Sequence, residues 1–136
     1  MPKKSIKTPS SRRYAKQASD TLKRMTRARK EYTKSRDLSR SHARSYKSEV
    51  KKLGKIASLY RKAARAHGLN SRITRSLKKR GDAANARADR AEKLSQVHAR
   101  IAGKKKTEYN SLKKIRQRQV KKYRKASKAS SRKRSR

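Results

Sequence analysis

The chain has no Cys, Phe or Trp among its 136 residues, and only 8 of them are Asp or Glu. Without Cys there is neither a disulfide nor a thiolate metal site. Leu, Ile and Val together number 16, a share at which a strongly charged chain is not expected to fold unaided. No apolar run approaches the roughly 18 residues of a membrane span, and no apolar signal core follows Met1-Pro2-Lys3-Lys4-Ser5, so neither membrane insertion nor secretion is expected. The four glycines, Gly54, Gly68, Gly81 and Gly103, are isolated and build no phosphate-cradling loop. His42, His67 and His98 stand far apart, with no ligand pair at helical spacing. Catalysis needs a dry, preorganised pocket, which so few large apolar side chains are not expected to enclose. No enzyme activity, cofactor, metal or small-molecule substrate is therefore expected.

What the chain does have is positive charge. It carries 47 Lys and Arg, for a net charge of +39. The charge is uneven: residues 1–40 carry a net +11, 41–70 a net +7, 71–103 a net +6 and 104–136 a net +15. Such a chain repels itself, and its apolar groups are too few to offset the ordering of the backbone. The expectation is that a polyanion completes the structure.

Periodicity then divides the chain. Residues 1–8 read as a basic arm. Thr8-Pro9 offers a cap and a proline at the first helical position, and Ala15, Ala18, Leu22, Met25 and Tyr32 follow at helical spacing, which predicts a helix over about 9–34. The Ser- and charge-rich stretch 35–41 lacks periodicity and predicts a break. Over 42–67 the spacing of Tyr46, Val50, Leu53, Ala57, Tyr60, Ala64 and His67 alternates between 4 and 3 residues, the pattern of an amphipathic helix. Gly68 suits the left-handed residue after a helix end, Leu69 is placed to fold back on the last turn, and Asn70 or Ser71 can cap the next helix. A third helix is predicted over 71–102, kinked near Gly81-Asp82 and ended by Gly103, completing a helical region over 9–103. A basic fourth helix is predicted over 104–127, with a low-complexity tail over 128–136. The fold class is thus all-α: three or four long amphipathic basic helices, as a hairpin or bundle or extended on a partner, with disordered basic termini. The residues expected to pack helix on helix are Tyr46, Val50, Leu53, Tyr60, Ile73, Leu77, Leu94 and Ile101.

Five acids precede a base by three or four residues, as Asp20–Arg24, Glu31–Lys34, Asp37–Arg40, Glu49–Lys52 and Asp89–Lys93, the orientation of helix-surface ion pairs. The six tyrosines recur at 14- and 18-residue intervals within segments, which fits bulky seam residues better than platforms stacking on unpaired bases. Ser adjoins Arg at Ser35, Ser39, Ser41, Ser45, Ser71, Ser76, Ser131 and Ser135, where phosphorylation would subtract up to two charges each.

The basic residues are where function is expected. Duplex DNA carries one phosphate per roughly 1.7 Å of axis, so +39 corresponds to the phosphates of about 20 base pairs. The candidate binding residues are Arg12 and Arg13; Lys78, Lys79 and Arg80; Lys104, Lys105 and Lys106; Lys113, Lys114, Arg116 and Arg118; Lys121, Lys122, Arg124 and Lys125; and Arg132, Lys133, Arg134 and Arg136. Nothing in the pattern specifies base readout, so contacts to the backbone with little sequence preference are expected.

The last twelve residues, Lys-Ala-Ser-Lys-Ala-Ser-Ser-Arg-Lys-Arg-Ser-Arg, resemble the tails of linker histones and of protamine-like or viral core proteins. That resemblance implies neutralisation of packaged DNA. The expected function is structural: neutralising and compacting nucleic acid, DNA favoured over RNA, in a virion interior, nucleus or nucleoid. A ribosomal protein binding structured RNA is one alternative. Another is a small basic protein lining a viral capsid, with other subunits of a large assembly as partners.

Overall fold

The computed structural model describes residues 9–134, with side chains over 10–129; the arm 1–8, with its Thr8 cap, and residues 135–136 lie outside the described residues. The described residues form two helices, α1 Pro9–His67 and α2 Arg72–Arg134. All of them except the turn 68–71 are helical, so the all-α expectation is met. The count of three or four helices is not: two long ones replace it.

Each helix contributes to two compact units. Unit 1 is Met1–Thr33 with Ala102–Arg136, and unit 2 is Lys34–Ile101. Unit 2 is a helical hairpin. Its turn is made where Gly68 adopts φ 81°, a conformation that costs glycine little and other residues much. The Gly68 N–H donates to Ala64 O at 3.0 Å. Ser71 Oγ accepts from the Thr74 N–H at 3.2 Å, and the Thr74 hydroxyl donates to Gly68 O at 2.8 Å. Ser71 is therefore the cap of α2. Leu69 does not fold back; it is 66% exposed.

The seam of unit 2 has the 3-and-4 spacing of a heptad repeat. On α1 its buried or half-buried positions are Ser35, Ser39, His42, Tyr46, Glu49, Leu53, Ile56, Tyr60 and Ala63; on α2 they are Thr74, Leu77, Gly81, Ala84, Ala88, Ala91, Ser95 and His98. Cross-helix pairs fix an antiparallel register. Ser39 and Ser95 exchange hydroxyl-to-carbonyl hydrogen bonds at 2.9 and 3.0 Å. The His42 and His98 rings stack with centroids 5.4 Å apart. Arg87 Nε donates to Glu49 at 3.2 Å. Unit 1 follows the same rule with Ser11, Tyr14, Ala18, Thr21, Met25, Ala28 and Tyr32 against Ala102, Lys105, Tyr109, Leu112, Arg116, Gln119, Tyr123 and Ala126. There the Thr21 hydroxyl lies 2.8 Å from Gln119 Oε1, and Ser11 and Ser127 hydroxyls stand 3.3 Å apart.

This seam explains the departures from the predicted boundaries. The break expected at 35–41 is absent because Ser35 and Ser39 lie in the seam, with Ser39 bonded across to Ser95 instead of competing for its own backbone. Helix α2 passes through Gly81 without a break because that residue faces Ile56, whose Cγ2 would stand 3.5 Å from an added Cβ. Gly103 does not end the helix; Ala102 is buried beside it and the Lys105 pairing follows within one turn. The backbone of residues 128–134, read as tail, continues α2.

Candidate nucleic-acid interface

A seam of small and hydroxyl-bearing residues leaves the outer faces of both helices to the charged side chains. Over residues 10–129, Lys and Arg are exposed everywhere except at Arg36, Lys105 and Arg116, which are half-buried. Unit 1 carries 27 Lys and Arg against 3 Asp and Glu, a net +24; unit 2 carries 20 against 5, a net +15.

Most of the predicted binding residues lie on those outer faces. In unit 1, Arg12 and Arg13 are exposed on α1, and Lys104, Lys106, Lys113, Lys114, Arg118, Lys121, Lys122, Arg124 and Lys125 are exposed on α2. In unit 2, Lys78, Lys79 and Arg80 are exposed near the start of α2. The side chains of Arg132, Lys133 and Arg134 and the whole of Arg136 lie outside the described residues. The helix winds the exposed bases around its outward side, so they form a surface and not a single cluster.

Two of the predicted residues belong to the seam. Lys105 reaches across to Glu31 at 2.6 Å and to Glu108 at 3.2 Å. The hydrogen bond from Lys105 holds the Glu31 carboxyl below its ordinary range, and the bonds to Glu31 and Glu108 push the Lys105 ammonium above its own. Arg116 is half-buried and its Nε, enclosed by the helices, has no hydrogen-bond partner. An open cleft of about 460 Å³ lies beside it, lined by Arg116, Gln117, Val120, Lys121 and Arg124. Lys122 places its ammonium 5.8 Å from the centre of the Tyr14 ring, a cation–π contact.

The tyrosines belong to the seam. All six, Tyr14, Tyr32, Tyr46, Tyr60, Tyr109 and Tyr123, are half-buried at seam positions. Of the predicted packing residues, Leu77 is buried and Tyr46, Leu53 and Tyr60 are half-buried. Val50, Ile73, Leu94 and Ile101 are 43, 55, 37 and 37% exposed. Each stands one residue from a seam position held by Glu49, Thr74, Ser95 or Ala102. The apolar side chain draws attention in the sequence, but the helices approach along its neighbour, which at Thr74, Ser95 and Ala102 is the smaller of the two.

The acids also differ from expectation. Of the five predicted helix-surface pairs only Glu49–Lys52 forms, at 3.7 Å. Glu31 turns to Lys105 across the seam, and Asp37 meets Arg36. Among the serines beside arginine, Ser35 is buried and Ser39 and Ser71 are bonded within unit 2, whereas Ser41, Ser45 and Ser76 are exposed. Among the described residues no group of His, Cys, Asp and Glu is placed to hold a metal ion, and no helix is long and apolar enough to cross a membrane. No known protein family matches this chain, and no curated protein or solved structure is significantly similar to it.

Proposed function

We propose that this protein is a structural nucleic-acid-binding protein that neutralises and compacts DNA through phosphate contacts of little sequence preference, in the manner of a chromatin-like or virion-core component. One observation carries the reading: a net charge of +39 whose Lys and Arg side chains are almost all exposed among the described residues. Such a surface releases condensed counterions when it meets a polyphosphate, and that release supplies affinity without reading bases. The mixture of 25 Lys and 22 Arg adds planar forks for phosphate oxygens to mobile point charges. The cleft flanked by Arg116, Lys121 and Arg124 offers one place where three cations converge. With phosphates as partner, the protein resides with packaged nucleic acid, and other subunits of that assembly are its neighbours.

The test is the salt dependence of binding to duplex DNA. Replacing Lys113, Lys114, Arg118, Lys121 and Lys125 with Gln removes five exposed charges and no seam residue. The slope of log affinity against log salt falls by about 0.9 for each phosphate no longer neutralised, and unrelated duplex sequences bind alike. A wild-type slope close to zero, or a strong preference for one structured RNA over any duplex, overturns the proposal.

A further inference from the structure

Unit 2 carries a row of side chains on α2 that a phosphate would avoid. On α2, Asp82, Asn85, Asp89, Glu92 and Gln96 follow at intervals of 3, 4, 3 and 4 residues and share one side of the helix, with no base in the row. All five are exposed, and among the described residues no base forms an ion pair with Asp82, Asp89 or Glu92. In a chain with 47 bases and 8 acids, three acids left unpaired on one side stand out. The row borders an apolar groove of about 340 Å³ between the helices, floored by Leu53, Ala57, Tyr60 and Leu77 and rimmed by Asp82, Asn85 and, one turn before Asp82 at the end of the row, Lys78. Val50, 43% exposed, lies on the same side of α1 one heptad before Ala57. Beyond it α1 presents Arg40, Arg44, Lys47 and Lys51, all exposed, at intervals of 4, 3 and 4.

We infer that this face binds a second copy of the same chain. It is divided lengthwise into a basic half on α1 and an acidic half on α2, with apolar groups between, so it is complementary to itself. A two-fold axis along the hairpin lays α1 of each copy over α2 of the other at the same height. The pairs Glu49–Arg87 and Ile56–Gly81 set Lys47 level with Asp89. In the dimer Lys47 therefore meets Asp89 and Glu92 of the second copy, and Val50 and Ala57 close over its groove. This is an isologous interface, each contact made twice. It stands apart from the nucleic-acid reading, because it turns on Asp82, Asp89 and Glu92, acids that repel phosphates. A dimer would join two basic surfaces and let one protein bridge two duplex segments.

The experiment is sedimentation equilibrium of the full chain, free of nucleic acid, in about 0.5 M salt, where repulsion between two such cations is screened to a few ångströms. The wild type dimerises. Asp89→Lys weakens the dimer by roughly tenfold or more, since a base then faces Lys47. Adding Lys47→Glu to that variant restores the dimer to within about threefold of wild type, which a merely destabilised hairpin would not do. Arg90→Glu, on the other side of α2, leaves it unchanged. A chain that stays monomeric up to about millimolar concentration overturns the inference. So does a dimer indifferent to Asp89→Lys, or one that Lys47→Glu fails to rescue while circular dichroism shows the helices intact.

Discussion

Gly54, Gly68 and Gly103 divide by the space and dihedral each occupies. Gly54 and Gly103 lie inside helices with nothing within 4 Å of an added Cβ, so there the missing methyl only costs helix propensity. Gly54→Ala and Gly103→Ala should each raise stability by about 1 kcal/mol, read as a higher urea midpoint with unchanged slope. Gly68 also has open space, but its φ of 81° strains any side chain, so Gly68→Ala should lower the midpoint. Equal effects at all three positions would mean that the turn does not need its left-handed residue. The same reasoning explains the hydroxyl residues: Ser39 and Ser95 bond across the seam, which offsets their usual penalty in a helix. Thr21 bonds back to Gln17 O as well as across to Gln119, and Ser71 caps α2 from outside the helix.

Within unit 1 the helices meet through an ion pair as well as through Ala18, Met25, Ala28 and Leu112. Glu31, held below its ordinary 4.5 by Lys105, favours the folded pair above pH 4.5, and that contribution disappears as pH falls through its lowered value. Lys105, raised above 10.5 by Glu31 and then Glu108, contributes fully below pH 10.5 and loses its part as pH rises through the raised value. Between these limits the pair's contribution is constant. Glu31→Gln should therefore lower the urea midpoint at pH 7, and the difference from wild type should shrink towards zero at pH 3. Both side chains are partly exposed, so the effect is small. A difference that persists unchanged at pH 3 would assign the destabilisation to packing and not to charge.

For the whole molecule, charge outweighs every local preference. A seam built from Ala, Ser, Thr and single large residues such as Leu53 and Leu112 buries little apolar surface, while +39 charges repel along both helices. Free protein at low salt should show reduced helicity by circular dichroism, and adding duplex DNA or a simple polyanion should raise it to the level of two long helices. A free chain already fully helical at low salt, melting cooperatively, would show that the seam alone is sufficient.

Composition was enough to read helices and surplus charge, because both depend on counts and spacing. The turn at Gly68 was legible too, as was the row Tyr46, Leu53 and Tyr60, for which large side chains recur every seven residues. The companion row was not. Val50 looks like the buried neighbour of Leu53, yet Glu49 lies in the seam and Val50 is exposed, while Ile56 and Ala57 are both half-buried, because a helix with two apolar flanks can turn either one inward. Which flank is buried depends on the opposing helix, where Gly81, Ala84, Ala88 and Ala91 admit close approach. The break expected at Ser35–Ser41 vanished for the same reason: polar residues end a helix in isolation but serve as contacts once a partner supplies hydrogen-bond acceptors and shape. Exposed Gly103 is instead carried through by the packing of Ala102 and Lys105 on either side. Charge speaks through sequence directly, since every base counts wherever it stands; the choice of face belongs to geometry, because it is settled only when two surfaces meet.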